Sequence, residues 1–127
     1  MNDMAYLRRE KEIVDMDFPL AIVWIAIADA ITSLEWKIDE SNDATNQVIT
    51  KTKANFMAYA STLTIRAIAV SQKTTRITVS AETPVTTITG IVDFGRTRER
   101  IDSFLLALVK QLKKESEASE KTPLNKS

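Results

Sequence analysis

Residues 18–34, FPLAIVWIAIADAITSL, are the longest apolar run of the chain, broken only by the charge at Asp29. At helical spacing Leu20, Val23, Trp24, Ile27, Ile31 and Leu34 share one face, as a core-facing helix requires. Asp17-Phe18-Pro19 supplies a start, with Asp17 or Phe18 as the cap and Pro19 in the first turn, where a missing N–H costs nothing. The helix is expected to end near Ser33. No other segment covers as much apolar surface, so the strands must present a face to it.

Working outward, residues 10–16 alternate loosely, with Glu12, Val14 and Met16 on one side and Lys11, Ile13 and Asp15 on the other. This reads as a short, charged edge strand behind a flexible stretch at 1–9. After the helix, Leu34, Trp36 and Ile38 alternate with Glu35, Lys37 and Asp39, which predicts a strand wet on one face. Residues 40–46, ESNDATN, have turn composition. Residues 47–53 run back as a more polar strand rich in β-branched side chains. Residues 54–59, ANFMAY, continue that strand, bulge, or form a small apolar flap. Residues 61–70 and 75–81 predict a hairpin, with Leu63, Ile65, Ala67 and Ala69 facing Thr75, Ile77, Val79 and Ala81. Residues 82–89 are extended by propensity, but Pro84 confines them to an edge or a loop.

The two glycines, Gly90 and Gly95, bracket a tight approach to a closing helix that runs from about Arg96 to Glu115. Ile101, Phe104, Leu105, Leu108 and Leu112 form its apolar stripe, and Arg98 and Asp102 stand at (i, i+4) on its flank. Residues 116–127 are charged and small, with no means of burial, and predict a disordered tail. The single domain is thus expected over residues 10–115. Strand, helix, several antiparallel strands and a helix predict an α+β fold: one sheet of about five strands with both helices on one face.

The segment EIVDMDFPLAIVWIAIADAITSLEWKID resembles the opening of helix-grip domains, the START-like and TATA-binding-protein-like architectures. The closing DFGRTRERIDSFLLAL is similar to the ends of small families of unknown function with that layout. The resemblance implies a helix lying across a curved antiparallel sheet. A long START-like cavity would need more strand than this chain supplies.

Composition bounds the chemistry. A chain of 127 residues with 44% hydrophobic content is long enough for one real core. Lys plus Arg and Asp plus Glu both total 17, so no net field draws the chain to nucleic acid or an anionic membrane. Aromatic residues are only 6%, too few to build a base-stacking platform. No cysteine and no histidine occur, which removes disulfides, thiolate chemistry and the commonest general base and zinc ligand. On that ground the expectation is a protein that is not an enzyme, with no cofactor and no metal. The run from Leu20 to Asp29 is too short to cross a bilayer and follows an acidic rather than a basic flank, so the expected compartment is the cytoplasm.

Three candidate sites follow. Arg96, Thr97, Arg98 and Arg100 stand at the start of the last helix, where free N–H groups and guanidinium donors suit an anion. The alternative there is a capped helix whose arginines are neutralised by Glu99 and Asp102. Ile22, Ile25 and Asp29 lie off the core stripe of the first helix and suit a self-association interface, or a deeper groove filled by the same chain. Trp24, Trp36, Phe56, Met57 and Tyr59 suit an apolar ligand pocket between sheet and helix. The strand threonines, Thr50, Thr52, Thr62, Thr64 and Thr78 among them, read as a wet outer face. The functional expectation is an interaction or self-association module, a homodimer or the docking partner of another protein, using the first helix or a sheet edge. The alternative is a binder of a small apolar or amphipathic ligand.

Overall fold

The apolar helix links the two edges of the sheet. In the computed structural model, which describes residues 6–54, 60–85 and 96–121, the elements follow as β1 (Tyr6–Met16), α1 (Leu20–Ser33), β2 (Lys37–Asn42), β3 (Gln47–Lys51), β4 (Thr62–Ala69), β5 (Thr75–Val85) and α2 (Arg96–Lys121). The strands form one antiparallel sheet in the order β1-β5-β4-β3-β2. Since β1 and β2 are opposite edges, α1 must span four strand spacings, about 19 Å. Its 14 residues make a rod about 21 Å long, which closes that distance.

Pro19 occupies the N-cap in extended conformation, and its carbonyl accepts from the amides of Ile22 and Val23 at 3.1 and 3.0 Å. Neither Asp17 nor Phe18 caps the helix. A residue before proline is held extended, and Phe18 is drawn inward against the core. At the other end Glu35 and Trp36 donate to the carbonyls of Thr32 and Ile31 at 2.9 and 3.2 Å. That pair closes a Schellman motif, with Glu35 in the left-handed region at φ 61°. The chain therefore turns at residues 34–36, and β2 begins at Lys37 rather than Leu34.

Both helices cover one face of the sheet. From α1, Val23, Ala26, Ile27, Ala30 and Ile31 are buried, a wide stripe because α1 meets both the sheet and α2. From α2 come Ile101, Phe104, Ala107, Leu108 and Leu112. The sheet supplies Val48, Leu63, Ile65, Ala67, Ile77, Val79 and Ala81. The β4–β5 faces fall as read from the sequence, except that Ala69 is exposed. Arg98 tethers α2 to β1 through Glu12, at 2.8 Å, and pairs with Asp102 at 3.3 Å.

Several elements differ from the sequence reading. β1 starts at Tyr6, and its length is matched by β5, with which it pairs from Tyr6↔Val85 to Met16↔Thr75. Pro84 sits within β5 beyond the Thr62↔Glu82 pair at the start of β4, where among the described residues β5 pairs with β1 alone. The helix α2 runs on to Lys121, past Glu115. Thr50 and Thr52 are buried on the helix side, not wet, because they follow the inward-facing Val48 at the strand period of two. Gly90 and Gly95 lie outside the described residues.

Candidate functional site

A groove runs between the outer flank of α1 and the β2–β3 hairpin. From α1, Trp24 and Ala28 form one (i, i+4) row and Ile25 and Asp29 the next, with Ile27 at the floor. Ile38 and Ser41 contribute from β2, Val48 from β3, and Asp43 from the turn; the groove volume is about 230 Å³.

A bulge in β2 makes this lining possible. Ile38 pairs with Thr50 and Ser41 with Val48, and the register shifts between Ile38 and Glu40. One extra residue on β2 puts Ile38 and Ser41 on the same face although they stand three apart. The turn that follows is held by the Asn42 side chain, whose Oδ1 accepts from the amides of Ala44 and Thr45 at 2.9 and 3.2 Å. Asn46 closes it at φ 52°, a conformation asparagine tolerates. Asp43, carried by that turn, accepts a hydrogen bond from the Trp24 indole Nε1 at 2.9 Å. Among the described residues neither Asp29 nor Asp43 has an ion-pair partner.

The two tryptophans are not brought together. Trp24 sits near the start of α1, at the turn end of the hairpin; Trp36 follows the end of α1, at the open end, packed on the core. A helix rise of 1.5 Å per residue separates them by roughly 15–20 Å. Phe56, Met57 and Tyr59 lie outside the described residues. Of the residues read as an interface, Ile22 is half-buried against the core, whereas Asp29 is exposed and Ile25 is 60% exposed. Asp29 therefore has no burial to compensate within the chain.

At the start of α2, Arg98 and Arg100 are committed to different partners. Arg98 is held by Glu12 and Asp102, and the hydrogen bond it donates to Glu12 keeps its guanidinium protonated beyond its already high ordinary range. Thr97 is buried and its hydroxyl is 2.8 Å from that of Thr83. Arg100 donates to Ser61 Oγ, the Ser61 hydroxyl also meets that of Thr83, and the Ser61 amide donates to Thr52 Oγ1 at 2.9 Å. Thr52, Ser61, Thr83 and Thr97 thus form a buried hydroxyl network under the first turn of α2. Sequence reading missed it because its members come from four distant segments, and no spacing signals it.

No protein-family model and no curated protein matches the sequence. Solved structures share its fold. A norcoclaurine synthase from Thalictrum flavum, in complex with dopamine and hydroxybenzaldehyde, superposes with a TM-score of 0.65 at 9% identity over 87% of this chain and 88% of that one. The Zhui aromatase/cyclase from a Streptomyces species gives 0.56 at 14% identity, covering 92% and 98%. Ara h 8.0201 gives 0.62 at 13% identity, covering 85% and 99%. The chain has the helix-grip fold. At these identities the likeness concerns architecture alone.

It nonetheless corrects one expectation. The lack of histidine and cysteine leads to the expectation of a protein that is not an enzyme, but a synthase and an aromatase/cyclase are built on this same frame. General acid–base work is open to carboxylates, lysine and tyrosine as well, so composition does not exclude catalysis here. Among the described residues no helix is long and apolar enough to cross a membrane.

Proposed function

We propose that this domain binds a small amphipathic molecule in the groove between α1 and the β2–β3 hairpin. The observation that carries the reading is an apolar floor of Trp24, Ile25, Ile27, Ile38 and Val48 beside a few polar groups. Ligand sites combine apolar lining with a small number of placed polar side chains, and about 230 Å³ suits a fragment-sized molecule rather than a lipid. Ile25 and Ile38 are 60% and 40% exposed, so occupancy would remove apolar surface from water.

An NMR screen of small aromatic fragments against the full chain tests this. Hits should move the indole N–H resonance of Trp24 and leave that of Trp36 in place, and Ile25→Lys should abolish the effect. Fragments that bind only elsewhere, or that bind Ile25→Lys equally well, would remove the groove from consideration.

The same exposed isoleucines favour a second reading, self-association through this flank of α1. Sedimentation of the parent and of Ile25→Lys separates the two: a dimer lost in the variant supports self-association, and a monomer throughout rejects it.

A further inference from the structure

We propose that the ligand of this groove is a hydrophobic amine, an organic cation with one ammonium group on an aromatic or branched aliphatic body. The proposal rests on the preceding reading that the groove takes a small molecule, and adds which chemical class it selects.

Charge complementarity carries it. Among the described residues the ionisable side chains lining the groove are Asp29 and Asp43, both acidic, with no lysine or arginine beside them. Neither carboxylate is matched by an ion pair among the described residues, whereas Asp15, Glu12, Glu35 and Glu82 each face a lysine or arginine at 2.8–3.0 Å. Next along β2, Asp39 and Glu40 add negative charge, and Lys37 lies 3.8 Å from Asp39. An anion entering here would meet repulsion from two sides. A cation would find two unmatched partners at the rim of an apolar floor.

The tryptophan sharpens the choice. An indole has one donor and no acceptor, and that donor is committed to Asp43 at 2.9 Å. What Trp24 can offer a ligand is therefore π surface, which attracts cations and packs against aromatic or aliphatic bodies. The bond also holds the Asp43 carboxylate beside the groove instead of letting it swing into solvent. Because both carboxylates are exposed, an ammonium docked between them keeps part of its hydration, so burial of the charge does not cancel the attraction. The amphipathic pattern of the site and of the ligand then match end to end: apolar body on Ile25, Ile38 and Val48, ammonium at Asp29 and Asp43.

The test is a titration of the full chain with three probes of one size: phenethylammonium, 2-phenylethanol and 3-phenylpropionate, read at the Trp24 indole N–H. Phenethylammonium should bind about tenfold more tightly than the neutral probe, and the anion more weakly still. The preference should shrink as sodium chloride rises. Asp29→Asn should lower the affinity for the ammonium about three- to tenfold while leaving 2-phenylethanol unchanged. Asp43→Asn, which retains an acceptor for the indole, should act in the same direction. Equal binding of all three probes at the groove, or preference for the anion, would overturn the amine assignment while leaving the ligand site standing. Failure of every probe to perturb the groove would overturn both.

Discussion

Arg98 on α2 donates from Nη2 to Glu12 Oε1 on β1 across 2.8 Å, joining residues 86 positions apart at the edge of the sheet. Each side chain remains more than a third exposed, at 39% and 36%. A double-mutant cycle with Glu12→Gln and Arg98→Gln should therefore give a coupling of roughly 0.5 kcal/mol, and no more than about 1. The coupling should fall with added salt. A value near zero at low salt would show that packing alone, through Phe104 and Leu108, docks α2.

Glu35 holds a left-handed conformation at φ 61° in the motif that ends α1. A side chain with a Cβ costs about 1 kcal/mol there, which glycine avoids. Glu35→Gly should be neutral to stabilising by up to about 1 kcal/mol, since loss of the exposed Lys53 pair offsets part of the gain. Glu35→Val should destabilise by more than that, because β-branching is least tolerated at positive φ. Denaturant melts check both; a stable valine variant beside a weakened glycine variant would contradict the cap.

Thr50 and Thr64 look alike in sequence but face opposite sides of the sheet. Thr50 is fully buried and its hydroxyl donates to the Lys37 carbonyl at 2.6 Å. Thr50→Val removes that bond from a buried hydroxyl, an expected loss of about 1 kcal/mol. Thr64→Val, on the outer row, should stay within about 0.5 kcal/mol of the parent. Equal effects at the two sites would mean that β3 is paired one residue out of register.

Asp15 is held below the ordinary carboxylate range, chiefly by its hydrogen bond from Arg76, whose Nε lies 2.9 Å from Oδ1. A depressed folded value means the pair stabilises the protein above the unfolded titration of aspartate and ceases to do so as pH falls through the folded one. Arg76→Gln should raise the Asp15 titration, followed by carboxyl carbon NMR, toward its ordinary position. The stability gap between parent and variant should be present at neutral pH and close in strong acid. A gap independent of pH would assign the effect of Arg76 to packing.

Much of this architecture is legible in the chain. Period 3.6 in residues 18–34 marks α1 and its face, and the stripe from Ile101 to Leu112 marks α2. Alternation in residues 63–67 and 75–81 reveals the β4–β5 pair with its inner side correctly assigned. Their place on α1 marks Trp24, Ile25 and Asp29 as candidates, but as members of two different sites. That they line one groove depends on where the β2–β3 hairpin lands, and α1 alone does not encode it.

Local spacing by itself determined that α1 and α2 are helices, that β4 and β5 are strands, and which side of these is chiefly apolar, since those follow from periodicities of 3.6 and 2 within a dozen residues. Only tertiary structure decided that Glu35 would turn left-handed, that a bulge would align Ile38 with Ser41, that Thr50 and Thr52 would be buried, and that Asp43 would reach Trp24. Each of these depends on strand register and on a helix having to bridge two sheet edges. Those constraints arise between residues far apart in the chain, where no single window of sequence carries them.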